Sequence, residues 1–120
     1  MILPRTDLLH HIEHVRDKSK TIEKLLKVLC AELNQEKLAG HFHDTSDMAI
    51  RNVEIALKYG IDTFDSAIGG LGGCPYAPGA KGNLNTHSLI NAFGINSFGE
   101  NIDLDKIKFA EKYIDEIIVG

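Results

Sequence analysis

Cysteine is scarce in this chain: only Cys30 and Cys74 occur, and they lie far apart. That spacing excludes a disulfide framework, and the expectation is two reduced thiols in a cytoplasmic protein. There is no block of basic residues, and the net charge is −4, so no nucleic-acid partner is expected. No apolar run approaches the length of a membrane span, so no membrane partner is expected either. The opening Met-Ile-Leu-Pro-Arg-Thr-Asp lacks the charged and apolar regions of a secretory signal. Internal repeats and low-complexity segments are also missing. What remains is a chain of 120 residues, enough for one modest domain with a core.

Glycine and proline, by contrast, are concentrated in one stretch. Residues 65–83 hold six of the eleven glycines and two of the three prolines. Such a stretch can take positive φ and bring bare backbone close to a ligand. Pro75 and Pro78 fix φ at two points within it. Cys74 sits near its middle. The apolar run at 63–68 reads as a buried strand leading into it. The thiol is thus expected on a loop beyond the C-terminal end of a strand, where barrel enzymes carry their chemistry. The plainer reading is an ordinary connection holding a small buried thiol.

The flanking segments alternate between helix and strand. Residues 21–33 place Ile22, Leu25, Leu26, Leu29 and Leu33 on one stripe, which predicts an amphipathic helix capped by Ser19 or Thr21. Residues 38–43 read as a strand. Residues 47–59 predict a second helix, with Ala49, Ile50, Val53, Ala56 and Leu57 inward, Thr45 or Ser46 as cap and Gly60 as stop. The strand at 63–68 follows. Helix, strand, helix, strand with short connections predicts two neighbouring parallel strands. Residues 86–93 predict a short helix ending at Gly94. The stretch 95–103 is irregular. Residues 104–119 predict a longer helix with Ile107, Ala110, Ile114, Ile117 and Ile118 on its buried side.

Histidine marks two places. His10 and His14, with His11 between them, would share a helix face, and a solvated role is the simpler reading. His41 and His43 flank Phe42 on the first strand, so they point to one side. They read either as a pair of metal ligands or as polar residues at a strand end. Parallel neighbouring strands would bring this pair and Cys74 to one rim. Two nitrogens completed by oxygens, Asn83 supplying one, suit Mg²⁺ or Mn²⁺ better than a closed zinc site. A thiol beside such a cation is a candidate proton donor or acceptor.

The run His41-Phe42-His43-Asp44-Thr45, then Asp65-Ser66, then Gly70-Leu71-Gly72-Gly73-Cys74-Pro75-Tyr76 through Asn83 resembles the C-terminal part of hydroxymethylglutaryl-CoA lyase. The likeness runs from about residue 21 to about residue 101. The His-x-His-Asp element is shared across the wider superfamily of metal-dependent TIM-barrel lyases and synthases. The cysteine-bearing glycine loop separates the lyase from the isopropylmalate and homocitrate synthases.

The resemblance implies an α/β fold, the C-terminal part of a (β/α)8 barrel, over residues 21–120, with 1–20 unmatched. It implies cleavage of 3-hydroxy-3-methylglutaryl-CoA to acetyl-CoA and acetoacetate with Mg²⁺ or Mn²⁺. His41 and His43 match the metal-binding histidines, Asn83 a further metal-site residue, and Cys74 the thiol of proton transfer. A complete barrel needs eight strands and about 250 residues. Nothing in the chain matches the family's first-strand Arg and Asp, or its Gly-Asp-Thr segment. The expectation is a truncated or split product, inactive alone, that takes its missing strands from a separately encoded N-terminal half or self-associates. The alternatives are a non-catalytic remnant, or a small metal-binding protein using His10, His11 and His14 with His41 and His43.

Overall fold

The computed structural model describes residues 2–4, 19–44, 47–72 and 82–119. Two layers position the site. One is a three-stranded sheet in the order β1 (Ile2–Pro4), β2 (Leu38–His41), β3 (Phe64–Asp65). The other is helical: α1 (Ser19–Glu32), α2 (Ala49–Lys58), α3 (Thr86–Phe93) and α4 (Leu104–Val119). No helix among the described residues is long and apolar enough to cross a membrane.

The expected helix–strand alternation is present, and β2 and β3 pair in parallel with Gly40 opposite Phe64 and His41 opposite Asp65. β1 was not expected. It runs antiparallel to β2, with Leu3 opposite Ala39. Three residues carry no readable alternation, and Pro4 offers no N–H, which an edge strand tolerates. The second strand is shorter than predicted. Past Asp65 the chain enters a 3-10 turn at Ile68–Gly70, where Gly69 and Gly70 take φ of 66° and 68°. Left-handed backbone ends strand pairing.

The core lies between the sheet and the first two helices. Ile22 and Leu26 of α1 meet Ala49, Val53 and Ala56 of α2 over Leu38 and Phe42. Full burial of a side chain such as Leu26 contributes on the order of 2 kcal/mol. Three residues placed inward by periodicity lie outward instead: Leu33, Leu57 and Ile117 are all exposed. Each sits at or near the last turn of its helix, where packing elements no longer cover the stripe. Thr21 lies inside α1 and so does not cap it. The predicted caps Thr45 and Ser46 lie outside the described residues. α2 begins later than expected because Asp47 takes φ of 58°. The Asp44 carboxylate reaches forward and accepts the Ala49 N–H at 3.1 Å.

Gly40 is a point of close approach. A β-carbon there would lie 2.7 Å from Phe64 Cδ1 and 2.9 Å from Phe42 Cε2. The two phenyl rings thus fill the space over Gly40 on the helical side of the sheet. Cys30, on α1, is half-buried with its Sγ 3.9 Å from the Tyr59 carbonyl oxygen. Burial pushes its thiol above the ordinary cysteine value.

Gly40→Ala is expected to destabilise the chain by about 1–3 kcal/mol in urea unfolding, with Phe64→Leu recovering part of the loss. If Gly40→Ala alone costs nothing, the crowding over the strand is not real. With its pKa raised, Cys30 holds less thiolate at neutral pH than a free cysteine. It is therefore expected to alkylate more slowly than free cysteine with iodoacetamide at pH 7.5, read by peptide mass spectrometry. Equal rates would contradict that burial.

Candidate metal and acid–base site

The register of β2 against β3 leaves one face to the phenyl rings and sends alternate residues to the other. His41 and His43 share that second face, with ring centroids 5.5 Å apart and planes tilted by 49°. This is the juxtaposition expected from their spacing. Asp65, opposite His41 in the ladder, lies 3.0 Å from it through Oδ2 to Nδ1. With the carboxylate ionised, Nδ1 carries the proton and donates, and Nε2 is left to face away from Asp65.

Asn83 joins the same face from the far end of the glycine-rich stretch. It forms an isolated antiparallel bridge with His43, so the two side chains project to one side. Its Nδ2 donates to the Leu71 carbonyl at 2.8 Å, while Oδ1 is buried without a hydrogen-bond partner among the described residues. A buried carbonyl oxygen left unmatched is costly unless a ligand completes it. Gly72 makes this seat possible. Its φ is 96°, and a β-carbon would lie 2.5 Å from Asn83 Nδ2.

Backbone bonds secure the segment around Asn83. Asp44 donates its N–H to the Gly82 carbonyl at 2.9 Å, and Leu84 donates to Phe42 at 3.0 Å. Ala67 donates to Leu84 at 2.9 Å, and Asn85 bridges Ala67 in parallel. Leu84 is buried between these strands. Asn85 then caps α3, its Oδ1 accepting the His87 N–H at 2.8 Å and the Ser88 N–H at 3.4 Å.

The donor set on this face is two imidazoles and an amide oxygen. It fits a divalent cation that keeps open positions for oxygen ligands. No three His, Cys, Asp or Glu side chains converge among the described residues. Cys74 lies outside the described residues, as do His10, His11 and His14. Spacing alone did not single out Asp65. Its role appears only once the register is known, because parity cannot say which residue of a neighbouring strand stands opposite His41.

The family model described as HMGL-like matches residues 17–114. The chain is similar to the hydroxymethylglutaryl-CoA lyase YngG of Bacillus subtilis, 41% identical over 95 residues, covering 79% of this chain and 32% of the relative. The crystal structure of the B. subtilis HMG-CoA lyase superposes with a TM-score of 0.79 at 37% identity, covering 88% of this chain and 35% of that one. An HMG-CoA lyase from Acinetobacter baumannii, solved with coenzyme A and 3-methylmalate, superposes at 0.73 with 32% identity, covering 87% and 34%. The chain thus spans about a third of the length of the proteins it matches. Its α/β arrangement is the one they share, the C-terminal part of a TIM barrel. With most of its length under one family model and one superposable fold, the chain belongs to the HMGL-like family.

Proposed function

We propose that residues 21–120 furnish one wall of a lyase site that cleaves 3-hydroxy-3-methylglutaryl-CoA to acetyl-CoA and acetoacetate. The single observation that supports this reading is the shared face of His41, His43 and Asn83, the last with a side-chain oxygen that has no hydrogen-bond partner among the described residues. His41 and His43 would hold Mg²⁺ or Mn²⁺ by their imidazoles and Asn83 by its side-chain oxygen. A cation bound there supplies Lewis acidity toward the substrate's hydroxyl and carbonyl oxygens. Asp65 keeps His41 in the tautomer whose Nε2 can serve as ligand, which makes it a positioning residue.

Loss of the substrate's hydroxyl proton turns that oxygen into the ketone of acetoacetate, and the carbon–carbon bond that breaks leaves its electron pair on the methylene carbon of the departing acetyl thioester. That carbon needs a proton, and we assign its delivery to the Cys74 thiol on the strength of the motif around it. An acyl-CoA as substrate is supported by the coenzyme A found in the A. baumannii relative. The two widely separated cysteines fit a reducing, cytoplasmic setting.

The described residues carry a donor set of two imidazoles and an amide, and the sequence offers no match to the family's first-strand Arg and Asp. A partly assembled electrostatic site loses most of its transition-state stabilisation. We therefore infer that these residues are silent by themselves and act only together with the remaining strands of the barrel.

Mn²⁺ binding, followed by electron paramagnetic resonance, is expected to weaken at least about tenfold in His41→Ala and Asn83→Ala, and about 10- to 100-fold in Asp65→Asn. Circular dichroism of each variant controls for folding. Unchanged affinity in all three would remove the metal from this face. In a second experiment the chain with Mn²⁺ is assayed for acetoacetate, alone and mixed with the N-terminal two-thirds of the B. subtilis relative. No product is expected alone, and product is expected on mixing. Cys74→Ser should then reduce the restored rate by about 100-fold or more. Turnover by the chain alone refutes the silence, and full turnover by Cys74→Ser refutes the role of the thiol.

A further inference from the structure

β1 stands in the right place and runs the wrong way. In a (β/α)8 barrel every strand is parallel to its neighbours, so a strand feeding α1 would lie beside β2 and point with it. β1 precedes α1 and lies beside β2, but it is antiparallel, with Leu3 opposite Ala39. It also falls outside residues 17–114, the part that the family model matches.

Hydrogen-bond parity identifies what β1 occupies. Gly40 donates its N–H to the Thr63 carbonyl, on the β3 side. The N–H and carbonyl of one residue leave a strand on the same side, and successive residues alternate. Ala39 therefore turns both groups toward β1, and Leu3 is the residue that exchanges hydrogen bonds with it. A parallel strand on this edge would need the same two groups of Ala39. Pro4 stands opposite Leu38, whose N–H bonds the Gln35 carbonyl instead. The N–H that Pro4 lacks would thus lie on the outer side of β1, where its absence denies a donor to any further strand.

We propose, on the strength of the barrel family and not of the lyase chemistry, that β1 is a replaceable cap on the edge of β2. It shields that edge from indiscriminate pairing, and the barrel strand that precedes β2 joins by displacing it. The two pairings exclude each other because Ala39 has a single N–H to give. Three residues and one hydrogen-bonded pair hold the cap, so a longer parallel strand outcompetes it. β1 is therefore an autoinhibitory contact: it must leave before the barrel can close on this side.

Amide hydrogen exchange and binding, both measured without metal or substrate, test the proposal. The probe is the N-terminal two-thirds of the B. subtilis relative, the part of that protein outside the stretch this chain matches. In the chain alone the Ala39 amide is expected to be protected. Leu3→Pro removes the donor opposite it and should speed its exchange about tenfold. When the probe binds, the Leu3 amide should lose protection while the Ala39 amide keeps it. Leu3→Pro should bind the probe about tenfold more tightly than wild type, because no cap has to leave first. Circular dichroism confirms that the variant keeps its helices. Equal affinities of wild type and Leu3→Pro overturn the proposal, and so does a Leu3 amide that stays protected in the complex. Failure of both chains to bind also overturns it, since the edge then accepts no other strand. A mixture that binds with the expected exchange pattern but yields no acetoacetate counts against the lyase reading alone.

Discussion

The pairing of β2 with β3 is the constraint from which the rest of the site follows. Gly40 stands opposite Phe64, and two phenyl rings occupy the space where a side chain would be. Because strand side chains alternate, filling one face with aromatic carbon commits the next residues to the other. A slip of one residue would turn His41 toward the helices and break its contact with Asp65. The aromatic packing and the polar cluster are therefore two consequences of one register. The helices enter indirectly, since Phe42 is anchored in the core formed by α1 and α2.

A second layer of constraint acts at Asn83. Its amide is oriented by the Leu71 carbonyl, and the approach is open only because Gly72 has no side chain. The segment that follows is hydrogen-bonded on both sides, to Phe42 and to Ala67. The amide oxygen is thus presented by a backbone braced from two strands rather than by a side chain free to choose its rotamer. Such bracing matters for hard cations, which reward donors already in place.

Much of this arrangement is legible in the amino-acid order. The stripes of α1 and α4 announce long helices, and α3 runs from Thr86 to Phe93 as its pattern implies. The imidazole pair follows from parity alone. What is not legible depends on distant partners. β1 exists because β2 offers it an edge, and nothing in Ile2–Pro4 signals that. β3 shrinks to two residues as the chain turns into the left-handed backbone of Gly69 and Gly70, although the apolar run reads on to Ile68. Ile117 belongs to the inward stripe by periodicity, yet the helix outruns what it packs on, and the side chain emerges into solvent. Asp65 looks like any acidic residue near a turn until the ladder sets it beside His41.

Asp44 deserves a different kind of consideration from its neighbours. It directly follows two histidines, which invites its reading as one more ligand. Its Oδ1, however, is engaged in starting α2, and its amide holds the strand segment returning at Gly82. Replacing it would loosen a helix terminus and shift the imidazoles with it. A mutational survey could then attribute to lost coordination what is in fact collapse of the frame, and only a structural readout beside the affinity would tell the two apart.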